Sequence, residues 1–272
     1  MTDWKPSNEY RRIAEANRRY YAQTADQYER TETHLSDRAM QRSVADNLSE
    51  IIRLSGHNPS QLQALDACGG SGNIALRLLR QGANVTVADI SIDLLRILQS
   101  KCDAEGFTPA IICTEIGSFL ATCPASYDLI TFSSALHHLE NIVEVLSMAY
   151  TRLRPGGMVY TVLDPIPRAE ISGFTRGILW ADYLGFKAVH QTTDLLPSLG
   201  RRLRRTLNRS ASPHTLDEPY LGILAEYHVA RGIDDNALVN QLYAIGYTVV
   251  WHKRYRIHPF RHDACLAGNT RC

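Results

Sequence analysis

The chain has 272 residues, 44% hydrophobic and 21% charged, with a formal net charge of +1. That length gives one or two domains and suffices for a full hydrophobic core. Near-neutral charge excludes a whole-surface pull toward nucleic acid or membrane, no apolar run reaches the roughly eighteen residues of a spanning helix, and the polar start Met1–Arg12 lacks the apolar core of a secretory leader.

A cytoplasmic protein is the expectation. The cysteines at 68, 102, 113, 123, 265 and 272 form no Cys-x-x-Cys pair, so neither a zinc site nor a disulfide framework is indicated.

In chain order, Asn8–Arg30 is rich in Arg, Glu, Ala, Gln and Tyr without Pro or Gly, and reads as a helix. A second helix is expected over Ser36–Leu54, where Met40, Val44, Leu48, Ile51 and Ile52 repeat at helical spacing and Gly56 lies just past the end. From Leu62 the pattern alternates. Strands are expected at Leu62–Asp66, Asn84–Asp89, Pro109–Cys113, Tyr127–Phe132 and Met158–Leu163. Helices fall between them at Asn73–Gln81, Ile92–Glu105, near Ser118, and at Asn141–Leu153; Ser91 is a suitable N-cap, and Gly82 and Gly106 are stops. Pro155-Gly156-Gly157 reads as a turn. Such alternation means a mostly parallel sheet with helices on both faces.

Residues 165 to 230 break this rhythm. Then Asp234–Ile245 reads as a helix, Tyr247–Arg254 as a strand, and His262–Ala267 as a weak last strand. The expectation is a doubly wound, seven-stranded sheet. Residues 1–56 are an N-terminal helical segment, 57–164 with 231–272 the core, and 165–230 an inserted helical cap.

The first strand ends at Asp66, and Gly69, Gly70 and Gly72 follow before a helix. In a doubly wound sheet ligands sit at the carboxyl ends of strands, and glycines there let the backbone approach a ligand. Asp89 closes the second strand, where a carboxylate can accept from both hydroxyls of a ribose. Gly70–Ala75 also fits the G-x-G-x-x-A dinucleotide pattern. Asp66 argues against it, because a carboxylate before the glycines repels pyrophosphate and attracts an ammonium group.

LDACGGSGN (Leu65–Asn73), VADIS (Val87–Ser91), YDLITFSSALHHLEN (Tyr127–Asn141) and LRPGGMVYTVLDP (Leu153–Pro165) come in this order. Together they resemble the motifs of the class I S-adenosylmethionine-dependent methyltransferases, in particular their small-molecule branch. Cys68 departs from the family's pattern, standing where its first glycine is usual. The resemblance implies a Rossmann-like methyltransferase fold and S-adenosyl-L-methionine as cofactor. It sets Asp66, Cys68, Gly70 and Gly72 beside the donor's methionine part, Asp89 on the ribose and Ile90 on the adenine. Glu115 and Ile116 fall near the adenine amino group, and Ser133 faces the donor through its backbone. Tyr21, on the N-terminal helix with Tyr20 and Tyr28, is implied to touch the methionine end.

Methyl transfer from a sulfonium is an in-line displacement, so alignment and water exclusion matter most. A base is needed when the acceptor bears a proton of high pKa. His137 and His138 follow the fourth strand and His228 follows the cap; these are the candidate catalytic residues. Ile171–Gln191 is aromatic and mostly apolar and could roof an acceptor pocket. Arg201–Arg209 carries five arginines and reads first as a solvated helix face, with an acidic or phosphorylated acceptor as its functional use. The expected activity is methylation of a small molecule, at oxygen by preference, with carbon or nitrogen as alternatives. A nicotinamide-dependent oxidoreductase and a catalytically silent partner subunit are the competing classes. No nucleic-acid partner and no metal are expected.

Overall fold

A computed structural model of the chain describes residues 4–32, 35, 37–167, 218–225, 227–228, 232–258 and 261–270. Helix α1 spans Asn8–Thr31, and its N-cap Ser7 accepts from the Tyr10 N–H. Helix α2 spans Arg38–Ser55, starting later than its periodicity suggests because Asp37 accepts from the Met40 N–H at 2.9 Å.

The central unit alternates strand and helix: β1 Gln63–Ala67, α3 Ala75–Arg80, β2 Asn84–Asp89, α4 Ile92–Glu105, β3 Ala110–Cys113, α5 Ile116–Thr122, β4 Tyr127–Ser133, α6 Ile142–Arg152 and β5 Leu153–Pro165. Then come α7 Glu218–Ala225, α8 Asp235–Ile245, β6 Tyr247–His258 and β7 Arg261–Thr270. Strands β3, β2, β1, β4 and β5 lie side by side and parallel. Beyond β5 the strands β7 and β6 pair antiparallel, giving the order β3-β2-β1-β4-β5-β7-β6. The order reverses between β1 and β4, which is where an open α/β sheet leaves a crevice at its carboxyl edge.

Strand residues alternate between two cores. Ala64, Val87, Leu129 and Tyr160 pack with α2, α3 and α4 on one face, through Val44, Leu48, Ile51, Leu78 and Leu98. Leu65, Ala88, Ile130, Phe132 and Val159 pack with α5, α6 and α8 on the other. α1 runs over the carboxyl edge; its Tyr10 joins the second core, and the helix packs against α7, where Tyr20 lies beside Gly222.

Two local readings are corrected. Pro155-Gly156-Gly157 is no turn between elements but an irregularity within β5: Tyr127 pairs Leu153, and the next registered pair is Leu129 with Met158. Helix α3 begins at Ala75, not Asn73, and its N-cap Ile74 offers no side-chain bond; the Ala75 N–H is taken by Asp66 from β1. Of residues 165–230, only 165–167, 218–225 and 227–228 are described, so Ile171–Gln191 and Arg201–Arg209 lie outside the described residues. No helix among the described residues is long and apolar enough to cross a membrane.

Candidate functional site

A cavity opens at the carboxyl ends of β1, β2 and β4. The glycine-rich turn forms its floor. Gly72 has φ +90°, and a Cβ there would come within 2.4 Å of Leu98 Cδ1. Gly69 is held by close approach, since its Cβ would meet the Asp66 carboxylate at 2.8 Å. Cys68 occupies the left-handed region with φ +56°, a backbone that costs a non-glycine residue about 1–2 kcal/mol. The family's usual glycine at this place therefore has a conformational reason. Burial pushes the Cys68 thiol well above its ordinary value, so it is a neutral wall group and not a nucleophile.

Asp89 closes the ring around this turn. Its Oδ2 accepts from Gly70 N–H at 2.8 Å and its Oδ1 from Ser91 N–H at 2.7 Å. It is 7% exposed and lines the cavity. Burial raises its pKa while those N–H groups hold it down.

Asp66, at the end of β1, braces its neighbours as well. Its Oδ1 accepts from Thr131 Oγ1 at 2.8 Å and its Oδ2 from Ala75 N–H at 2.9 Å. It borders the cavity, but both oxygens are committed to bracing β4 and α3. Burial, opposed by those two bonds, raises its pKa from 3.8 to about 7. A carboxylate on a strand end can turn to the ligand or to the next helix, and here it turns to the helix.

Glu115 also lines the cavity, but it is first the N-cap of α5. It accepts from Gly117 N–H at 2.6 Å and Ser118 N–H at 2.8 Å. The Tyr10 hydroxyl donates to it as well, and burial and that carboxylate together push the Tyr10 phenol far up. Ile90, Ile116 and Ser133 line the cavity as the sequence suggests, together with Leu94, Ser134 and Leu139.

α1 supplies the remaining wall and is fastened along its length. Ser7 Oγ donates to Glu140 at 3.0 Å, Tyr10 to Glu115, and Asn17 to the His138 carbonyl at 3.4 Å. Tyr21 meets His138 Nε2 at 2.9 Å. Near the end of α1, Glu29 accepts from Ser71 Oγ at 2.9 Å and from Lys101. Tyr10, Asn17 and Tyr28 thus join Tyr21 as cavity residues. Of these, only the Tyr21–Tyr28 spacing was a sequence signal.

The three candidate histidines separate. His138 lines the cavity; its Nδ1 lies 2.6 Å from the Ala225 carbonyl, so Nδ1 carries the proton and Nε2 accepts from the Tyr21 hydroxyl. His137 is 1% exposed, does not line this cavity, and sets Nδ1 against Asp164 at 2.8 Å. His228 is also absent from the wall; its N–H donates to the His137 carbonyl at 2.9 Å. Both lie behind the turn that carries His138.

The electrostatics select the ligand class. Asp66, Asp89, Glu115 and Glu140 line the cavity, with no lysine or arginine among its described walls. The loop amides of Gly70 and Ala75, which a pyrophosphate would need, are already held by Asp89 and Asp66. The residues fit a ligand with a ribose and a cationic centre, and they do not fit a dinucleotide. No group of His, Cys, Asp and Glu able to hold a metal occurs among the described residues.

Residues 64–157 match the family model of the methyltransferase domain. A ubiquinone/menaquinone biosynthesis C-methyltransferase of Bartonella tribocorum is 32% identical over 113 residues, 40% of this chain and 44% of that protein. A ubiquinone biosynthesis O-methyltransferase of Albidiferax ferrireducens is 31% identical over 125 residues, 45% of this chain and 48% of that one. The match therefore spans about half the length of these relatives. Among solved structures, magnesium protoporphyrin IX methyltransferase from Synechocystis with bound SAH shares the fold, with a TM-score of 0.61 and 15% identity over 95% of this chain and 99% of that one. With this family match, this sheet order and this cavity, residues 64–157 form a methyltransferase domain of the S-adenosylmethionine-dependent kind.

Proposed function

We propose that the chain transfers the methyl group of S-adenosyl-L-methionine to a small-molecule acceptor, at an oxygen atom. One observation carries the donor assignment: an acidic cavity at the sheet's reversal point, whose loop amides are already taken by carboxylates. Asp89 would hold the ribose hydroxyls with its remaining lone pairs, Ile90 and Ile116 would flank the adenine, and Cys68, Gly70, Gly72 and Ser133 would shape the wall beside the methionine part. When bound, the donor supplies a methyl group on a positively charged sulfur, ready for in-line displacement.

The preference for oxygen rests on the Tyr21–His138 pair. With Nδ1–H donated to Ala225, His138 Nε2 is the acceptor of the Tyr21 proton. An acceptor hydroxyl on Tyr21 Oη would pass its proton to Tyr21 as Tyr21 passes its own to Nε2. The oxygen then forms its bond to the methyl carbon while the carbon–sulfur bond breaks. An acceptor at carbon or nitrogen, as in the C-methyltransferase relative, is the other reading. The segment 165–230 is proposed as the acceptor-side cap, because its described end, α7, carries the carbonyl that orients His138.

Equilibrium titration with S-adenosylhomocysteine and with NAD tests the donor: binding of the thioether alone is expected, and binding of NAD alone would overturn it. His138→Gln and Tyr21→Phe test the base. Each should lower turnover of a phenolic acceptor about a hundredfold while leaving S-adenosylhomocysteine affinity near normal. Unchanged turnover in both would remove the pair from the chemistry.

A further inference from the structure

Asn17 sits one helical turn before Tyr21 on the same face of α1, is 5% exposed, and lines the cavity. The orientation of its carboxamide is fixed. Nδ2 donates to the Ile13 carbonyl at 3.0 Å and to the His138 carbonyl at 3.4 Å. The flipped amide would set oxygen against both carbonyls. Oδ1 is therefore turned away from them, and it is buried without a hydrogen-bond partner among the described residues. A buried amide oxygen left without a donor is a cost that a ligand can relieve.

Which ligand group it takes follows by elimination, granted the methyl-donor reading above. S-adenosylmethionine brings three kinds of hydrogen-bond donor: ribose hydroxyls, the adenine amino group and the ammonium of its amino acid end. Asp89 answers the ribose, and Glu115 with Ile90 and Ile116 bounds the adenine side. Asp66, the carboxylate that the sequence offers to the ammonium, accepts from Thr131 and Ala75 and, at 1% exposed against 7% for Asp89, shows the cavity less of its surface. We propose that Asn17 Oδ1 accepts a hydrogen bond from the ammonium group of the donor's amino acid end. The helix that covers the cavity thus also reads the donor. The oxygen is held ready: Asn17 grips the His138 carbonyl, and Tyr21 grips the same residue's ring.

The test compares two thioethers by calorimetry. S-adenosylhomocysteine carries the amino acid end, and methylthioadenosine lacks it. Asn17→Leu should weaken S-adenosylhomocysteine binding roughly ten- to a hundredfold, the range for a hydrogen bond to a charged group, and leave methylthioadenosine binding unchanged. That unchanged binding also reports an intact fold. A second arm leaves the wild-type protein unaltered: S-adenosylhomocysteine stripped of its amino group should bind it as weakly as the parent thioether binds Asn17→Leu. Equal losses for both thioethers, or no loss for either, would overturn the role of Asn17 and leave the donor reading standing. Failure of the wild-type protein to bind either thioether would instead overturn the donor reading, and this assignment with it.

Discussion

At the residue scale, the site is governed by where its carboxylates turn. Asp89 keeps an edge toward the cavity while tying Gly70 and Ser91. Asp89→Ala should weaken S-adenosylhomocysteine binding by about 1–3 kcal/mol, since buried hydroxyls lose a charged acceptor; calorimetry at neutral pH checks it. Asp66 turns inward, and its consequence is a pH dependence of stability. Its pKa is 3.8 ordinarily and about 7 in the fold, because burial disfavours the charge. The folded state then holds this proton more tightly than the unfolded chain, so the contribution is present at low pH and lost as pH rises through about 7. Asp66→Asn should flatten that slope. Urea midpoints at several pH values from 4 to 8 measure it, and parallel curves for variant and wild type would remove Asp66 as its source. The motif revealed that a carboxylate stands here. It could not reveal the direction of the side chain, which depends on Thr131 in a strand sixty-five residues away.

At the element scale, α1 is the part least legible in the sequence. Its helical character is plain from composition, and its capping follows from Ser7. Its position over the cavity is not, because the hydrogen bonds that set it reach residues far away in the chain, most of them just past strand ends: Tyr10 to Glu115, Tyr21 to His138, Glu29 to Ser71. Local periodicity encodes which face of a helix is apolar, not what that face covers. Glu115 joins two elements at once, capping α5 and receiving Tyr10. Glu115→Ala should therefore cost more than an ordinary cap, about 1–2 kcal/mol, because it also strands a buried phenol. Glu115→Gln keeps one acceptor oxygen and should recover part of the loss. Chemical denaturation of the pair checks both. The strand boundaries of β1, β2 and β4 were readable because buried parallel strands are short apolar runs closed by polar residues. The start of α3 was not readable, since its cap comes from β1 and not from its own flank.

For the whole molecule, the sheet order explains why one cavity serves the site. The reversal between β1 and β4 leaves their carboxyl ends diverging, so the turn after β1, the acid after β2 and the histidine after β4 face one space. Asp164, at the end of β5, lies behind it with His137. α1 closes the open side. A ligand filling that space contacts both the sheet edge and α1, so it adds to the side-chain bonds and the packing of Tyr10 that already join them. Binding should then appear as global stabilisation. At a ligand concentration about a hundred times the dissociation constant, linkage gives roughly 2.7 kcal/mol, which for a chain of this size raises the melting temperature by roughly 5–10 °C. S-adenosylhomocysteine should produce that shift in a thermal melt. NAD at the same concentration should produce none, because the loop amides it needs are occupied by Asp66 and Asp89. The Tyr21→Phe protein should keep most of the shift, as it loses one bond between α1 and His138 and retains those of Ser7, Tyr10, Asn17 and Glu29. A shift abolished by that single hydroxyl would mean that the Tyr21–His138 contact alone holds α1 over the cavity, and that closure is not shared along the helix.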